Sequence, residues 1–332
     1  MPFVIHPYVR GLVLIGGFLL AVFLGSASAD WEQAPSAVTG TPGPCVEKAL
    51  RVYMDAGADG QWGTIADVLY SVTFFEYDDE GRLSTEVSVT DPGPDGLWGT
   101  DEDIIGKRTL YGYDDAGRQV RSVSFKGADD IEPVQYVEIK YDRFDRKQLE
   151  VVYGFSVTDD AGAPPLEERL WYSRHLYDSH GRERSIIFGN RDEMTDEMIH
   201  TQMVFHFDAE GNRVRMFNYQ GAVTDPAALS SLPVIGWTEY EFDDSGRQIR
   251  AIDYVEPGFD GQWRTADDII GSIIEYTYHV DGRPKSATSY KDRGPDEVWG
   301  TDDDVVQYRT VTVWSCDPEA LPENTLSVTT PE

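Results

Sequence analysis

The segment "YGYDDAGRQVRSVSF", residues 111–125, decides the fold because the chain repeats its pattern seven times and each copy predicts a β-hairpin. Tyr111 and Tyr113 alternate before the turn, so both side chains point to one face of a strand. Asp114 supplies a side-chain acceptor and Gly117 tolerates a positive φ, as a tight hairpin turn requires. The following strand has apolar residues three, six and eight positions after the glycine. The step of three predicts a β-bulge in several repeats.

The other copies extend this hairpin into a repeat architecture, since Gly81 and Gly117 are 36 residues apart, as are Gly246 and Gly282. We therefore predict an all-β fold, an antiparallel meander of about seven hairpins and about sixteen strands from 46–54 to 305–314, forming a curled sheet or a closed barrel. Helix is expected to be scarce, with a turn near "PAALSSL". The other six copies are residues 75–89, 139–153 (where Asp145 replaces glycine), 172–188, 205–219, 240–254 and 276–290.

Six of these turns read aromatic-x-aromatic-Asp-x-x-Gly-Arg or close to it, and over residues 68–315 the chain resembles the Rhs or YD-repeat family. Long members of that family coil a β-strip into a shell, often around a toxin. The resemblance also implies carbohydrate binding and cell-surface contact. This chain is far shorter and lacks the C-terminal core region that precedes the toxin, so encapsulation is not implied.

A second repeat lies between the hairpins, in four acidic loops: loop 1 (55–67), loop 2 (91–103), loop 3 (256–268) and loop 4 (292–304). Counted from the first acid, every loop has Gly at offset two, Asp at four, Trp at seven, Thr at nine and Asp at twelve. The carboxylates predicted to bind metal are Asp55, Asp59, Asp67, Asp91, Asp95, Asp101, Asp103, Glu256, Asp260, Asp267, Asp268, Asp292, Asp296, Asp302 and Asp304.

Calcium is the cation predicted for these loops, because it takes six to eight oxygen ligands in irregular geometry, whereas magnesium requires a strict octahedron. The pattern also resembles the Asp-Gly-rich calcium loops of secreted bacterial repeat proteins. It differs from an EF-hand in its spacing. Thr at offset nine is expected to brace a carboxylate, and Trp to plug the sheet edge beneath the loop. The alternative is that Asp and Gly serve only as turn formers.

The first 29 residues read as a secretory signal, with Arg10 ending a short basic region before the apolar run "GLVLIGGFLLAVFLG" and the small residues "SASA". Residues 30–44 read as a flexible leader, 45–316 as the β domain and 317–332 as a disordered tail. Cys45 and Cys316 are the two cysteines, and export favours a disulfide between them over free thiols or a bond to another chain. We expect a periplasmic or extracellular protein.

The formal net charge of −31 excludes nucleic acid and acidic membranes as partners. No later segment is apolar enough for a stable membrane-spanning helix once the signal is cleaved. We expect a non-catalytic binding protein for carbohydrate or for another envelope or surface protein. The alternatives are a purely structural scaffold and, less favoured, an outer-membrane barrel or a glycosidase. The irregular connections around 155–167 and 190–199 are the expected partner surface.

Overall fold

The computed structural model describes residues 45–128, 133–156, 166–191 and 198–316. The predicted signal, leader and tail, and most of the two irregular connections expected to meet a partner, lie outside these ranges. The strands are β1 (Glu47–Asp55), β2 (Val68–Tyr77), β3 (Leu83–Asp91), β4 (Ile104–Tyr113), β5 (Gln119–Lys126), β6 (Pro133–Tyr141), β7 (Lys147–Ser156), β8 (Leu166–Tyr177), β9 (Glu183–Arg191), β10 (Met198–Phe207), β11 (Arg213–Gln220), β12 (Val234–Phe242), β13 (Gln248–Glu256), β14 (Ile269–Tyr278), β15 (Pro284–Asp292) and β16 (Val305–Trp314).

These sixteen strands form a closed antiparallel barrel in which each strand pairs with the next along the chain and β1 pairs with β16. The predicted all-β meander is confirmed, and of its two alternative forms the closed barrel is the one observed. Among the described strands, closure leaves no sheet edge unpaired. The turn predicted near 226–232 is a short 3-10 helix, Pro226–Ser231, whose first turn is capped by the Asp225 carboxylate accepting from the Ala227 N–H at 3.0 Å.

The bulge predicted after the short turns is present in all seven hairpins, where the pairing register shifts at the last residue before the turn. The degenerate copy forms the same hairpin as the others, because Asp145 adopts the left-handed φ of 61° that glycine adopts elsewhere. The bulge adds one residue to the strand that follows the turn. The apolar side chains therefore return to the same face after three residues instead of two.

The pairing register places Tyr240, Asp253, Tyr276 and Tyr308 on one face of the sheet, and burial raises the pKa of each of these side chains. We take this enclosed face as the inner face of the barrel. The opposite, outer face carries Trp237, which pairs with Tyr254 across β12 and β13.

The two ends of the barrel differ in their connections. The seven short turns lie at one end, which we call the YD rim, together with the start of β1 and the end of β16. The four acidic loops lie at the other end, which we call the acidic rim, with the four irregular connections. Because β16 is the neighbour of β1, loops 3, 4, 1 and 2 follow one another around the rim. Closure therefore joins two distant pairs of loops into one continuous arc.

Candidate functional site

Each acidic loop is bent by residues in the left-handed conformation at offsets two, five and eight from its first acid. Loop 2 illustrates the requirement for glycine at the first of these. Gly93 has a φ of 69°, and a Cβ there would lie 2.0 Å from the carbonyl oxygen of Glu102. Glycine at offset two thus lets the two arms of the loop meet, and the same close approach recurs in the other three loops.

The loop carboxylates accept hydrogen bonds from their own backbone in a repeated arrangement. In loop 2 the Asp95 Oδ1 accepts from the Leu97 N–H at 2.9 Å, and the Asp103 Oδ2 accepts from the Gly99 N–H at 2.8 Å. The same two bonds form in loops 1, 3 and 4. The fixed aspartates at offsets four and twelve therefore act as turn formers, whatever else they bind.

The predicted bracing role of threonine is observed, most clearly in loop 3. The Thr265 hydroxyl oxygen lies 2.7 Å from Asp267 Oδ1, 3.1 Å from Asp268 Oδ1 and 3.5 Å from Asp260 Oδ1. One hydroxyl has a single proton to donate, so it serves one of these three carboxylates at a time. Three negatively charged oxygens therefore gather around one weak donor. In loop 1, Thr64 donates to Asp59 at 2.8 Å.

The aspartate at offset twelve is buried in a way that turn formation does not explain. The second oxygen, Oδ1, of Asp67, Asp103 and Asp304 is inaccessible and has no hydrogen-bond partner. Burial raises the pKa of Asp103, and the nearby charge of Asp95 raises it further. Loop 3 differs, because the Thr265 hydroxyl lies 3.1 Å from the Oδ1 of its offset-twelve residue Asp268, whose Oδ2 accepts from the Trp237 Nε1–H at 2.7 Å.

The predicted metal ligands do not all converge. Among the described residues, no group of three or more His, Cys, Asp or Glu side chains has the arrangement of a metal site. Asp101 and Asp302 are exposed, as are Asp55 and Asp91 at the loop starts. A calcium ion at an offset-twelve aspartate would take its remaining oxygens from carbonyl groups, water and the offset-four carboxylate. Calcium binding stays a prediction.

The loop tryptophans take the place expected for them. Trp98 of loop 2 packs against the buried cluster of Ala49, Val72 and Val313 on the outer face of β1, β2 and β16. Trp263 of loop 3 donates its indole N–H to the Val234 carbonyl at 3.1 Å. Loops 2 and 3 thus lean over the outer face of neighbouring strands.

An arginine clasp at the YD rim is the feature that the sequence reasoning missed. Arg118 lies 2.6 Å from Asp114 of its own turn and 4.9 Å above the ring of Tyr141 in the next hairpin. The Arg118 hydrogen bond lowers the pKa of Asp114. The repeated Gly-Arg step was the available signal. Arginines stacked on the next aromatic ring are Arg82, Arg118, Arg146, Arg182, Arg247 and Arg283.

The same aromatic residues tie neighbouring hairpins together through the backbone. The Tyr278 hydroxyl donates to the Gln248 carbonyl at 2.6 Å, and the Trp314 indole N–H donates to the Pro284 carbonyl at 2.9 Å. Tyr113, Tyr141 and Tyr177 make the equivalent bond to the hairpin before them. Most neighbouring hairpins of the YD rim are therefore tied together by the same kind of clasp.

Cys45 and Cys316 are joined by a disulfide, as predicted. Next to it, the Ser315 N–H donates to the Val46 carbonyl at 2.9 Å. The bond therefore lies where β1 meets β16 at the YD rim.

In the described part of the chain, no helix has the length and apolar character needed to cross a membrane.

Comparison with known proteins gives no family model and no curated protein that matches this chain. Among solved structures it is similar to "TcdB2-TccC3-TEV", at 15% identity, a TM-score of 0.25 and 73% of this chain covered, and to "TcdB2-TccC3", at 13%, 0.25 and 80%. The chain spans 12% and 14% of the length of those two structures. It is also similar to a porin-like protein from Bacteroides uniformis ATCC 8492, at 10% identity and a TM-score of 0.28, covering 82% of this chain and 99% of that one.

Proposed function

We propose that this chain is a short, exported YD-repeat protein that binds a ligand without catalysis, and that calcium at the acidic loops stabilises its barrel. Carbohydrate is the proposed class of ligand, with another envelope or surface protein as the alternative. The observation that carries the calcium proposal is the buried Oδ1 of Asp67, Asp103 and Asp304, which has no hydrogen-bond partner. A carboxylate buried in this way is costly unless a cation or a donor reaches it.

The charge of the acidic rim supports the same proposal. The four loops contain eighteen Asp and Glu residues and two arginines, and barrel closure lines them up along one arc. Within the described residues, the ion pair that reaches a loop carboxylate is Arg309 with Asp67, at 3.7 Å. Carboxylates packed at this density repel one another, and divalent cations bound between them would remove that repulsion.

Calcium-dependent melting tests the proposal. The mature protein is treated with EGTA, and its unfolding is followed by circular dichroism with and without added calcium. At a free calcium concentration one hundred times the dissociation constant, each site is expected to add about 2.7 kcal/mol to the free energy of unfolding. Magnesium at equal concentration is the control, and it is expected to add less because it keeps its water. An unchanged melting temperature, with no calcium retained by elemental analysis, would refute the calcium proposal.

A structural scaffold is the second candidate function, and the buried outer-face aromatic residues favour it. Trp237 and Phe217 are 6% and 5% exposed, so neither offers an open ring face to a sugar. A glycan array separates the two functions. Binding to a defined group of glycans supports the binding role, and an empty array with full calcium stabilisation supports the scaffold.

A further inference from the structure

A groove lies on the outer face of the barrel, between loop 3 and the strands β11, β12 and β13. Its volume is about 240 Å³. This is below the range of about 300–1,000 Å³ for drug-sized sites, so the groove has room for a single ring with a small substituent. The lining residues are Arg215, Trp237, Glu239, Tyr254, Arg264, Thr265 and Ala266.

Arg264 occupies a backbone position that suits glycine. Its φ is 74°, in the left-handed region, and the equivalent residue in the other loops is Gly63, Gly99 or Gly300. A side chain there strains the backbone, and strain of this kind is concentrated at binding and catalytic sites. The conformation of the loop therefore does not explain why loop 3 has an arginine at this position.

The guanidinium group of Arg264 is exposed and lies 5.6 Å from the centre of the Phe217 ring. Among the described residues it has neither an ion pair nor a hydrogen bond, although the chain carries a net charge of −31. The other arginine of the groove is neutralised, because Arg215 lies 2.9 Å from the Glu239 carboxylate. Arg264 is thus the positive group left to receive a ligand.

An aromatic stack forms the wall beneath Arg264. The rings of Phe217 and Trp237 are 5.9 Å apart, and those of Trp237 and Tyr254 are 4.1 Å apart and nearly parallel. Asp268 fixes the Trp237 indole through its Nε1–H. The wall is therefore rigid, and the Glu239 carboxylate and the Thr265 hydroxyl beside it are groups that hydrogen-bond sugar hydroxyls.

We propose that this groove binds one uronic acid residue of an acidic polysaccharide, with the ligand carboxylate paired to Arg264 and the sugar ring against the edges of Trp237 and Tyr254. A planar guanidinium pairs with a carboxylate through two parallel hydrogen bonds, which favours an acidic sugar over a neutral one. This inference rests on the proposed carbohydrate-binding role and names its site and ligand class.

The test uses D-glucuronate and D-glucose as probes, with binding to the calcium-loaded protein followed by tryptophan fluorescence and by NMR. Glucuronate is expected to bind at least about tenfold more tightly than glucose, the discrimination that one charge-assisted hydrogen bond provides. Arg264→Gly restores the residue of the other three loops. It is expected to weaken glucuronate binding about tenfold or more while raising the melting temperature by about 2 °C, because the backbone strain is relieved.

Glu297→Gly is the matched control. Glu297 of loop 4 also has a left-handed φ, of 59°, and stands where the other loops have glycine. It lines no part of this groove. The variant is expected to melt at a slightly higher temperature and to bind glucuronate as the wild type does.

The outcomes separate this inference from the wider proposal. Glucuronate affinity unchanged in Arg264→Gly would overturn the site. Binding of neutral glycans on the array without glucuronate binding would overturn the ligand class while the carbohydrate-binding role stands. No binding of any glycan would overturn both. Equal glucuronate affinity in EGTA-treated and calcium-loaded protein leaves the site intact and makes it independent of calcium.

Discussion

At the YD rim, five turn aspartates lie between 2.6 and 2.9 Å from an arginine four residues later, whereas at the acidic rim the described ion pair, Arg309 with Asp67, is 3.7 Å long. Both rims use Asp and Gly to turn the chain. They differ in how the negative charge is compensated. Six of the seven YD turns carry their own arginine, which also stacks on the next aromatic ring, and the turn at 208–212 has Asn212 instead.

The arginines of the YD rim are one reason that a chain with so large a negative charge can fold. Side-chain arginine holds the YD turns, and their aspartates titrate below the usual range because of it. Among the described residues no arginine forms an ion pair with Asp103 at the acidic rim, and burial raises the pKa of this carboxylate. Aspartate therefore stabilises the YD rim, where arginine neutralises it. At the acidic rim it destabilises the barrel until an external cation binds or a proton neutralises it.

The largest expected effect is that of pH on the free energy of unfolding. It comes from Glu47 at the YD rim, whose pKa shift is opposite to that of the turn aspartates there. Burial, with the charge of Glu86 in a smaller part, raises the pKa of Glu47 to about 7. A raised pKa means that the stabilising, protonated form is fully present below the unfolded value of about 4.5 and is lost as the pH rises through 7. In EGTA, urea unfolding should give a free energy up to about 3 kcal/mol higher at pH 4.5 than at pH 8.

Glu47→Gln is the matched variant for this pH profile, since glutamine keeps the shape and removes the proton equilibrium. It should flatten the profile between pH 5 and 8. If the variant keeps the whole wild-type slope of unfolding free energy against pH, the pH dependence comes from the acidic rim, where Asp103 also has a raised pKa.

A second, smaller effect comes from exchanging one carboxylate for an amide at each rim. Asp103→Asn removes a buried charge that lacks a partner at Oδ1, so in EGTA it should raise the free energy of unfolding by about 1 kcal/mol. In saturating calcium the same variant should be less stable than the wild type, because it loses about 2.7 kcal/mol from one site. Urea titrations in the two buffers measure this change of sign.

Asp114→Asn is the counterpart at the YD rim, where Arg118 would lose the charged partner in its own turn and keep Asp145 of the next turn. It should destabilise the protein in both buffers alike. If Asp103→Asn also had the same sign in both, the two rims would not differ in their need for calcium.

Much of this fold follows from local sequence patterns. The period of two in "YGY", the Asp and Gly of the turn and the step of three after it specified hairpins, bulges and strand number. These features depend on residues within one hairpin. The spacing of acids and glycines likewise specified four equivalent loops, and the two cysteines indicated that the two ends of the β domain meet.

The arc of acidic loops and the groove could not be predicted in the same way, because the arc depends on closure of the barrel and the groove on the register of neighbouring strands. Loop 1 and loop 4 are near neighbours only because β1 pairs with β16, and a curled open sheet would separate them. Arg264 was visible as a departure from glycine, but its target, the ring of Phe217, lies two strands away on β11. Contacts between side chains from different hairpins require the register of every intervening strand.

The smallest expected effect tests the backbone bonds that tie the YD hairpins together. Tyr278→Phe removes the hydroxyl that donates to the Gln248 carbonyl at 2.6 Å and keeps the ring on which Arg247 stacks at 4.9 Å. It should lower the free energy of unfolding by about 1 kcal/mol, the net worth of one such hydrogen bond. Urea denaturation in calcium and in EGTA should give the same loss, since the bond lies at the rim that carries its own cations.

Tyr70→Phe is the control for that measurement, because Tyr70 on β2 is 61% exposed. It should change the free energy of unfolding by less than about 0.5 kcal/mol. Phe207 and Phe242 already stand where the other hairpins have a tyrosine, so the barrel tolerates two missing hydroxyls. A Tyr278→Phe protein as stable as the wild type would show that the arginine clasps alone hold neighbouring hairpins at the YD rim.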